Sequence, residues 1–248
     1  MKVFGKVPQV TLAFWVMKIC ATTLGETAGD LLSMTLHVGY ALSTILLLGV
    51  FAASLAAQLK ANSFHPLLYW AVILSTSTAG TTMSDFMDRS LELGYFLGSL
   101  ILATTLVIVL IAWKSSVGSL SVENISTFKT EAFYWTAILV SNTLGTALGD
   151  FLADSSGLGF AGGALLISSL IGLVALAHYF TRTSKVTLFW LAFVLTRPFG
   201  ATFGDLLTKS HEDGGFAFGT IGSSAILASL LIALVLWSMR PSEGPQTS

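Results

Sequence analysis

Residues Trp15 to Asp30 read WVMKICATTLGETAGD. The pattern returns as WAVILSTSTAGTTMSD from Trp70 to Asp85, WTAILVSNTLGTALGD from Trp135 to Asp150 and WLAFVLTRPFGATFGD from Trp190 to Asp205. Each copy begins at an aromatic pair (Phe14-Trp15, Tyr69-Trp70, Tyr134-Trp135, Phe189-Trp190), with Gly ten residues after the Trp and Asp five residues after the Gly. The copies start 55, 65 and 55 residues apart. The chain is therefore two similar halves, 1–120 and 121–248, each built of two similar units. A further Gly nine residues past each Asp, at Gly39, Gly94, Gly159 and Gly214, carries the repeat through a second segment, so the unit is a pair of elements.

What those elements are follows from composition. With 54% hydrophobic residues and only 10% charged, and a mean hydropathy of +0.80, the chain reads as a polytopic membrane protein. Eight apolar runs lie at about residues 8–29, 38–59, 66–86, 93–113, 131–150, 158–181, 186–207 and 214–239. Each is long enough for a helix to cross a hydrocarbon core, which needs ~20 residues. The expected architecture is an all-α integral membrane protein of eight transmembrane helices, as four parallel two-helix repeats in two pseudo-symmetric halves. A net charge of −1 without a basic cluster argues against nucleic acid. The single cysteine, Cys20, rules out an internal disulfide framework and an all-cysteine metal site. The N-terminal stretch after Lys2 and Lys6 resembles a signal peptide, but cleavage would destroy the first copy of the repeat.

Lys2, Lys6, Lys60, Lys114, Lys129, Arg182, Lys185 and Arg240 flank the even-to-odd connections and the termini, and only Arg89 and Lys209 lie at odd-to-even connections. The positive-inside rule then predicts both termini in the cytoplasm, with the connections that follow each Asp outside. Two crossings per repeat give all four repeats the same orientation, which puts the four Asp at similar depth. The Trp is expected at the inner interface as an aromatic-belt or packing residue. Fifteen helical residues at 1.5 Å each put the Asp ~22 Å farther out, near the outer edge of the core.

Counting back from each Asp in fours gives Glu26, Thr22 and Lys18, then Thr81 and Ser77, then Thr146 and Asn142, then Ala201 and Arg197. Steps of four stay on one helical face, so the odd helices carry a polar stripe ending at Asp30, Asp85, Asp150 and Asp205. Charges in mid-membrane are costly, so the stripe should face the bundle interior. Lys18 and Glu26, two turns apart, are placed to pair locally or with an Asp of another repeat. Gly25-Gly29, Gly145-Gly149, Gly200-Gly204 and Gly80-Ser84 form small i, i+4 pairs on another face. They predict close helix packing, the alternative being a helix loosened before the Asp so that carbonyls are freed. The bland reading of the Asp quartet is capping at the helix ends. His37 and His211 read as solvated loop residues.

Four copies of W-x9-G-x4-D spanning nearly the whole chain resemble a family of bacterial membrane-anchored proteins defined by four tandem two-helix repeats of unknown function. The resemblance implies an eight-crossing protein of the bacterial inner membrane and supplies no activity.

The residues themselves favour a transporter or exporter of a small hard divalent cation, of manganese or magnesium type. Asp30, Asp85, Asp150 and Asp205 would be the metal ligands, helped by Glu26, Thr22, Ser77, Thr81, Asn142 and Thr146, because hard cations prefer oxygen. With no Walker motif, transport would be passive or gradient-driven. Lys18 and Arg197 would act as tethered cations, and they equally suit a small anionic solute. A non-transporting membrane scaffold or assembly protein is the other alternative. Catalysis is not expected. The Gly-Asp pairs resemble those of intramembrane aspartyl proteases, but Thr27, Thr82, Ala147 and Thr202 stand where those carry Gly, and HExxH and GxSxG are absent. No resident cofactor is expected; the expected partners are the bilayer and the transported ion or solute.

Overall fold

Threonine and proline set the starts of three of the four odd helices. Thr11 accepts from the Phe14 backbone N–H, and Pro66, which has no N–H to leave unpaired, opens its helix. Thr127 and Thr130 satisfy each other's backbone N–H in a reciprocal cap. A computed structural model describes residues 6–122, 125 and 127–240. Among these the structure is all α: α1 Leu12–Asp30, α2 Tyr40–Lys60, α3 Pro66–Asp85, α4 Gly94–Val117, α5 Phe128–Asp150, α6 Gly159–Phe180, α7 Lys185–Thr208 and α8 Thr220–Ser238. The odd helices run unbroken through Gly to Asp, so the loosened-helix alternative is not what forms.

After Asp30, Asp85 and Asp150 the chain widens into one π-helical turn, Leu31–Thr35, Phe86–Ser90 and Phe151–Ser155. The fourth repeat departs from this. There α7 continues to Thr208, and residues 209–219 fold back on it, with Phe216 and Phe218 N–H donating to the Leu206 and Leu207 carbonyls. This loop displaces the start of α8 to Thr220, so Gly219, at φ +71°, takes the place that Gly39 holds before α2 at φ +80°.

The helices form two concentric layers. The odd helices adjoin in the cyclic order α1, α3, α5, α7 and back to α1, and each even helix packs outside the odd helix of the next repeat: α2 on α3, α4 on α5, α6 on α7, α8 on α1. The last pairing closes the ring across the two halves. Amphipathy is inverted relative to a soluble protein. Exposed side chains on α2, α4, α6 and α8 include Ile45, Val50, Phe96, Ile108, Leu165, Leu173, Ile226 and Ile232, whereas Lys18, Thr22, Ser77, Asn142 and Arg197 are fully buried in the inner ring. By length and composition α2, α4, α6, α7 and α8 are able to cross a membrane. The helices α1, α3 and α5, of 19, 20 and 23 residues, are as long, but their buried polar residues dilute their apolar character.

Glycine sets the inner ring's spacing. A Cβ on Gly25 would lie 2.3 Å from Ser77 Oγ, one on Gly29 2.8 Å from Thr81 Cβ, and one on Gly80 3.0 Å from the Asn142 backbone. On the other side, Gly145 meets Arg197, Gly149 meets Ala201, Gly200 meets Thr22 and Gly204 meets Glu26. Each glycine thus receives a stripe residue of the following repeat, and the motif joins repeats head to tail. The small residues are packing surfaces that let neighbouring helix backbones approach closely.

The Trp end is an aromatic tier built the same way. Phe14 packs on Trp70 at 5.7 Å, Tyr69 on Trp135 at 5.6 Å and Phe189 on Trp15 at 5.8 Å. Between Tyr134 and Trp190 stands Trp113 of α4, edge-on to both. Trp70, Trp135 and Trp190 are buried, so of the two expectations, belt or packing, these three meet the second: their rings fill the seams. Below them Lys6 reaches across the end of the bundle to Glu131 Oε2 at 2.8 Å and to the Leu59 carbonyl at 3.0 Å.

Candidate functional site

Because the four odd helices are in one register, stripe residues at the same offset from Asp form tiers along the axis. Deepest is Lys18, whose ammonium lies 4.2 Å from the centroid of the Phe193 ring and 3.4 Å from Asn142 Oδ1. Asn142 in turn donates to Thr76 Oγ1 at 2.9 Å. The local Lys18–Glu26 pair allowed by the spacing does not form. Glu26 is taken by Arg197, Nη1 to Oε2 at 2.9 Å.

Arg197 holds the centre. Its Nη2 donates to Thr81 Oγ1 at 2.5 Å and to Thr146 Oγ1 at 2.6 Å, and it approaches the Thr22 and Ser77 carbonyls at 3.4 Å. One guanidinium from the fourth repeat therefore touches the other three, using the five-donor fork that only arginine offers. Thr22 Oγ1 sits against the Lys18, Ile19 and Thr196 carbonyls, and the Ser77 hydroxyl, also buried, has no hydrogen-bond partner.

At the Asp end all four carboxylates are buried, and cations bridge them in pairs. Lys209 Nζ lies 2.9 Å from Asp30 Oδ2 and 3.1 Å from Asp205 Oδ1. Arg89 Nε lies 3.0 Å from Asp85 Oδ1, and its Nη2 3.6 Å from Asp150 Oδ2. Neither Asp30, Asp85 nor Asp150 makes a side-chain capping bond to the turn it precedes, which removes the support for a capping role. Burial works against the Lys209 charge, but Asp205 and Asp30 outweigh it and hold its proton well above the ordinary lysine range.

The expected metal quartet is thus divided into Asp30 with Asp205 and Asp85 with Asp150. The first pair gains a third member: Glu26, Asp30 and Asp205 each offer one carboxylate oxygen, all within 4.8 Å of one another. Around the second pair the next tier inward is hydroxyl, Thr81 and Thr146, already committed to Arg197. Sequence reasoning passed over Arg89 and Lys209 as site residues, although both stand four residues after an Asp and are the only Lys or Arg in those connections. That i, i+4 spacing was the available signal. His211 contacts the Gly215 carbonyl at 2.8 Å within its own loop and takes no part in the site.

A repeat family described as "Repeat of Unknown Function (DUF347)" matches residues 13–64, 68–118, 133–184 and 188–243. The chain belongs to that family. Its boundaries coincide with the odd-even helix pairs, so the DUF347 unit is one inner and one outer helix, and the ring needs all four. No curated protein and no solved structure matches the chain.

Proposed function

We propose that this DUF347 protein spans a bacterial inner membrane eight times, with both termini cytoplasmic, and moves a small hard divalent cation along the inner ring. The apolar outer wall of α2, α4, α6 and α8 supports the membrane setting, and the Lys/Arg distribution supports the orientation. The observation that carries the cation reading is the convergence of Glu26, Asp30 and Asp205. Arg197 and Lys209 set two positive charges against these three buried carboxylates, so a divalent ion that displaced one of them would still find a negative, all-oxygen seat of the kind that suits manganese, magnesium or calcium. Inward of that group Thr22, Ser77, Thr81, Asn142 and Thr146 continue a column of oxygen atoms. Arg197 closes the column and would have to shift for an ion to pass, with Glu26 as the carboxylate common to ion and guanidinium.

A second reading is favoured by one specific contact set. Arg197 binds acceptors from all three other repeats, as a polar bolt would in a scaffold that transports nothing. Flux separates the two. Purified chain in proteoliposomes loaded with a manganese-quenched dye should admit Mn²⁺, and Asp205→Asn and Asp85→Asn should fold normally but abolish the flux. Asn keeps shape and hydrogen bonding while removing one charge. Well-folded Asn variants with wild-type flux would leave the scaffold.

A further inference from the structure

Building on the cation-transport reading, we propose that Lys209 is a tethered competitor for the transported ion: its ammonium occupies the seat between Asp30 and Asp205, and a divalent cation loads there by displacing it. The seat is built for more than an ammonium. Lys209 Nζ contacts Asp30 and Asp205, but Asp205 Oδ1, which is buried, receives no properly directed hydrogen bond. Glu26 stands within 4.8 Å of both and is shared with Arg197. A divalent ion takes six or more oxygen ligands without needing directed donors, so it would engage all three carboxylates where one ammonium engages two.

The lysine is held so that only its side chain needs to move. Its N–H donates to the Asp205 carbonyl at 2.8 Å, and its carbonyl accepts from Ala217 N–H at 2.9 Å. A Cβ on Gly215 would lie 2.2 Å from that same carbonyl, so the loop 209–219 grips the Lys209 backbone. The side chain remains 24% exposed, and four rotatable carbons give it a way out to solvent.

The matching pair is different. Arg89 bridges Asp85 and Asp150 with a planar, permanently charged guanidinium lying over the Tyr95 ring at 5.6 Å. Among the described residues no third carboxylate joins Asp85 and Asp150 in a group as tight as that of Glu26, Asp30 and Asp205, and the equivalent positions of the first and third repeats are Met34 and Asp154. Exposure does not separate the two, since the Arg89 side chain is 34% exposed; what sets the Lys209 seat apart is Glu26 as a third carboxylate, and that puts loading at the seam between the fourth and first repeats.

The test is Mn²⁺ binding to the full chain in detergent, read from the electron paramagnetic resonance signal of the free ion. If the ammonium is seated at least about nine-tenths of the time, Lys209→Gln should tighten the apparent Kd roughly tenfold or more, because a competent state populated at a tenth weakens affinity by that factor. Lys209→Arg, which keeps the charge, should bind no more tightly than wild type. A second measurement needs no variant. Mn²⁺ should raise acetylation of Lys209 in the wild-type chain several-fold relative to the exposed Lys60, because the displaced amine becomes free to react. Mn²⁺ binding with unchanged Lys209 acetylation and no gain in Lys209→Gln would overturn the competitor and leave the transport reading standing. Absence of Mn²⁺ binding in wild type and every variant would overturn both.

Discussion

The glycine seam permits a prediction whose size can be worked from distances. In Gly25→Ala the new methyl would lie 2.3 Å from Ser77 Oγ, 2.5 Å from Ser77 Cβ and 3.0 Å from the Ser77 backbone carbon. The hydroxyl can rotate away; the Cβ and backbone cannot. Carbon atoms at rest stand about 3.5–4.0 Å apart, so α1 and α3 must separate by roughly an ångström. Overpacking of this kind costs about 1–3 kcal/mol, and replacing Gly by Ala in a helix returns about 1 kcal/mol. The separation also stretches the Arg197 contacts to Glu26 and Thr81, which span this seam, and a lost hydrogen bond to a charged group adds about 1.5–3 kcal/mol. The net expectation is a destabilisation of about 1.5–5 kcal/mol. Gly49→Ala is the control, since nothing lies within 4 Å of a Cβ there, and it should leave stability unchanged or slightly raised. Denaturation of the detergent-solubilised variants, followed by tryptophan fluorescence, measures both. If Gly25→Ala proves as stable as Gly49→Ala, close approach of the odd helices is not what the repeated glycine secures.

Two other expectations follow from the charge pattern. Arg197→Met leaves Glu26 buried without its partner and should cost about 3–5 kcal/mol, whereas adding Glu26→Gln should restore most of that loss; thermal unfolding of the two variants against wild type checks it, and equal losses in both would deny the pair its role. For orientation, Ser156→Cys in a Cys20→Ala background should react with an impermeant thiol reagent on intact cells, since Ser156 is exposed at the Asp end; reaction only after lysis reverses the topology.

Much of this site was legible in one dimension because helices convert spacing into direction. Four copies of W-x9-G-x4-D place Trp, Gly and Asp at fixed angles on each odd helix, and steps of four from Asp reach Glu26, Thr81, Thr146 and Arg197 whatever the helices pack against. The sequence alone therefore determined the paired helices, the repeat boundaries, the polar face and the small-residue face. Which faces meet is a different question, because loops of similar length permit several orders of helices around a ring. Only the tertiary structure sends α8 back onto α1, sets each glycine against the stripe residue of the next repeat, and turns the aromatic pairs into seam fillers. The charge pairing was decided there too. Lys18 and Glu26 share a helical face, yet Glu26 meets Arg197 from 171 positions away in the chain. Lys209 joins Asp205, its neighbour one turn back, to Asp30 at the opposite end of the sequence. Helical periodicity fixes which side of a helix a charge occupies, but its partner is set by the neighbour across the seam, and that neighbour comes from ring closure.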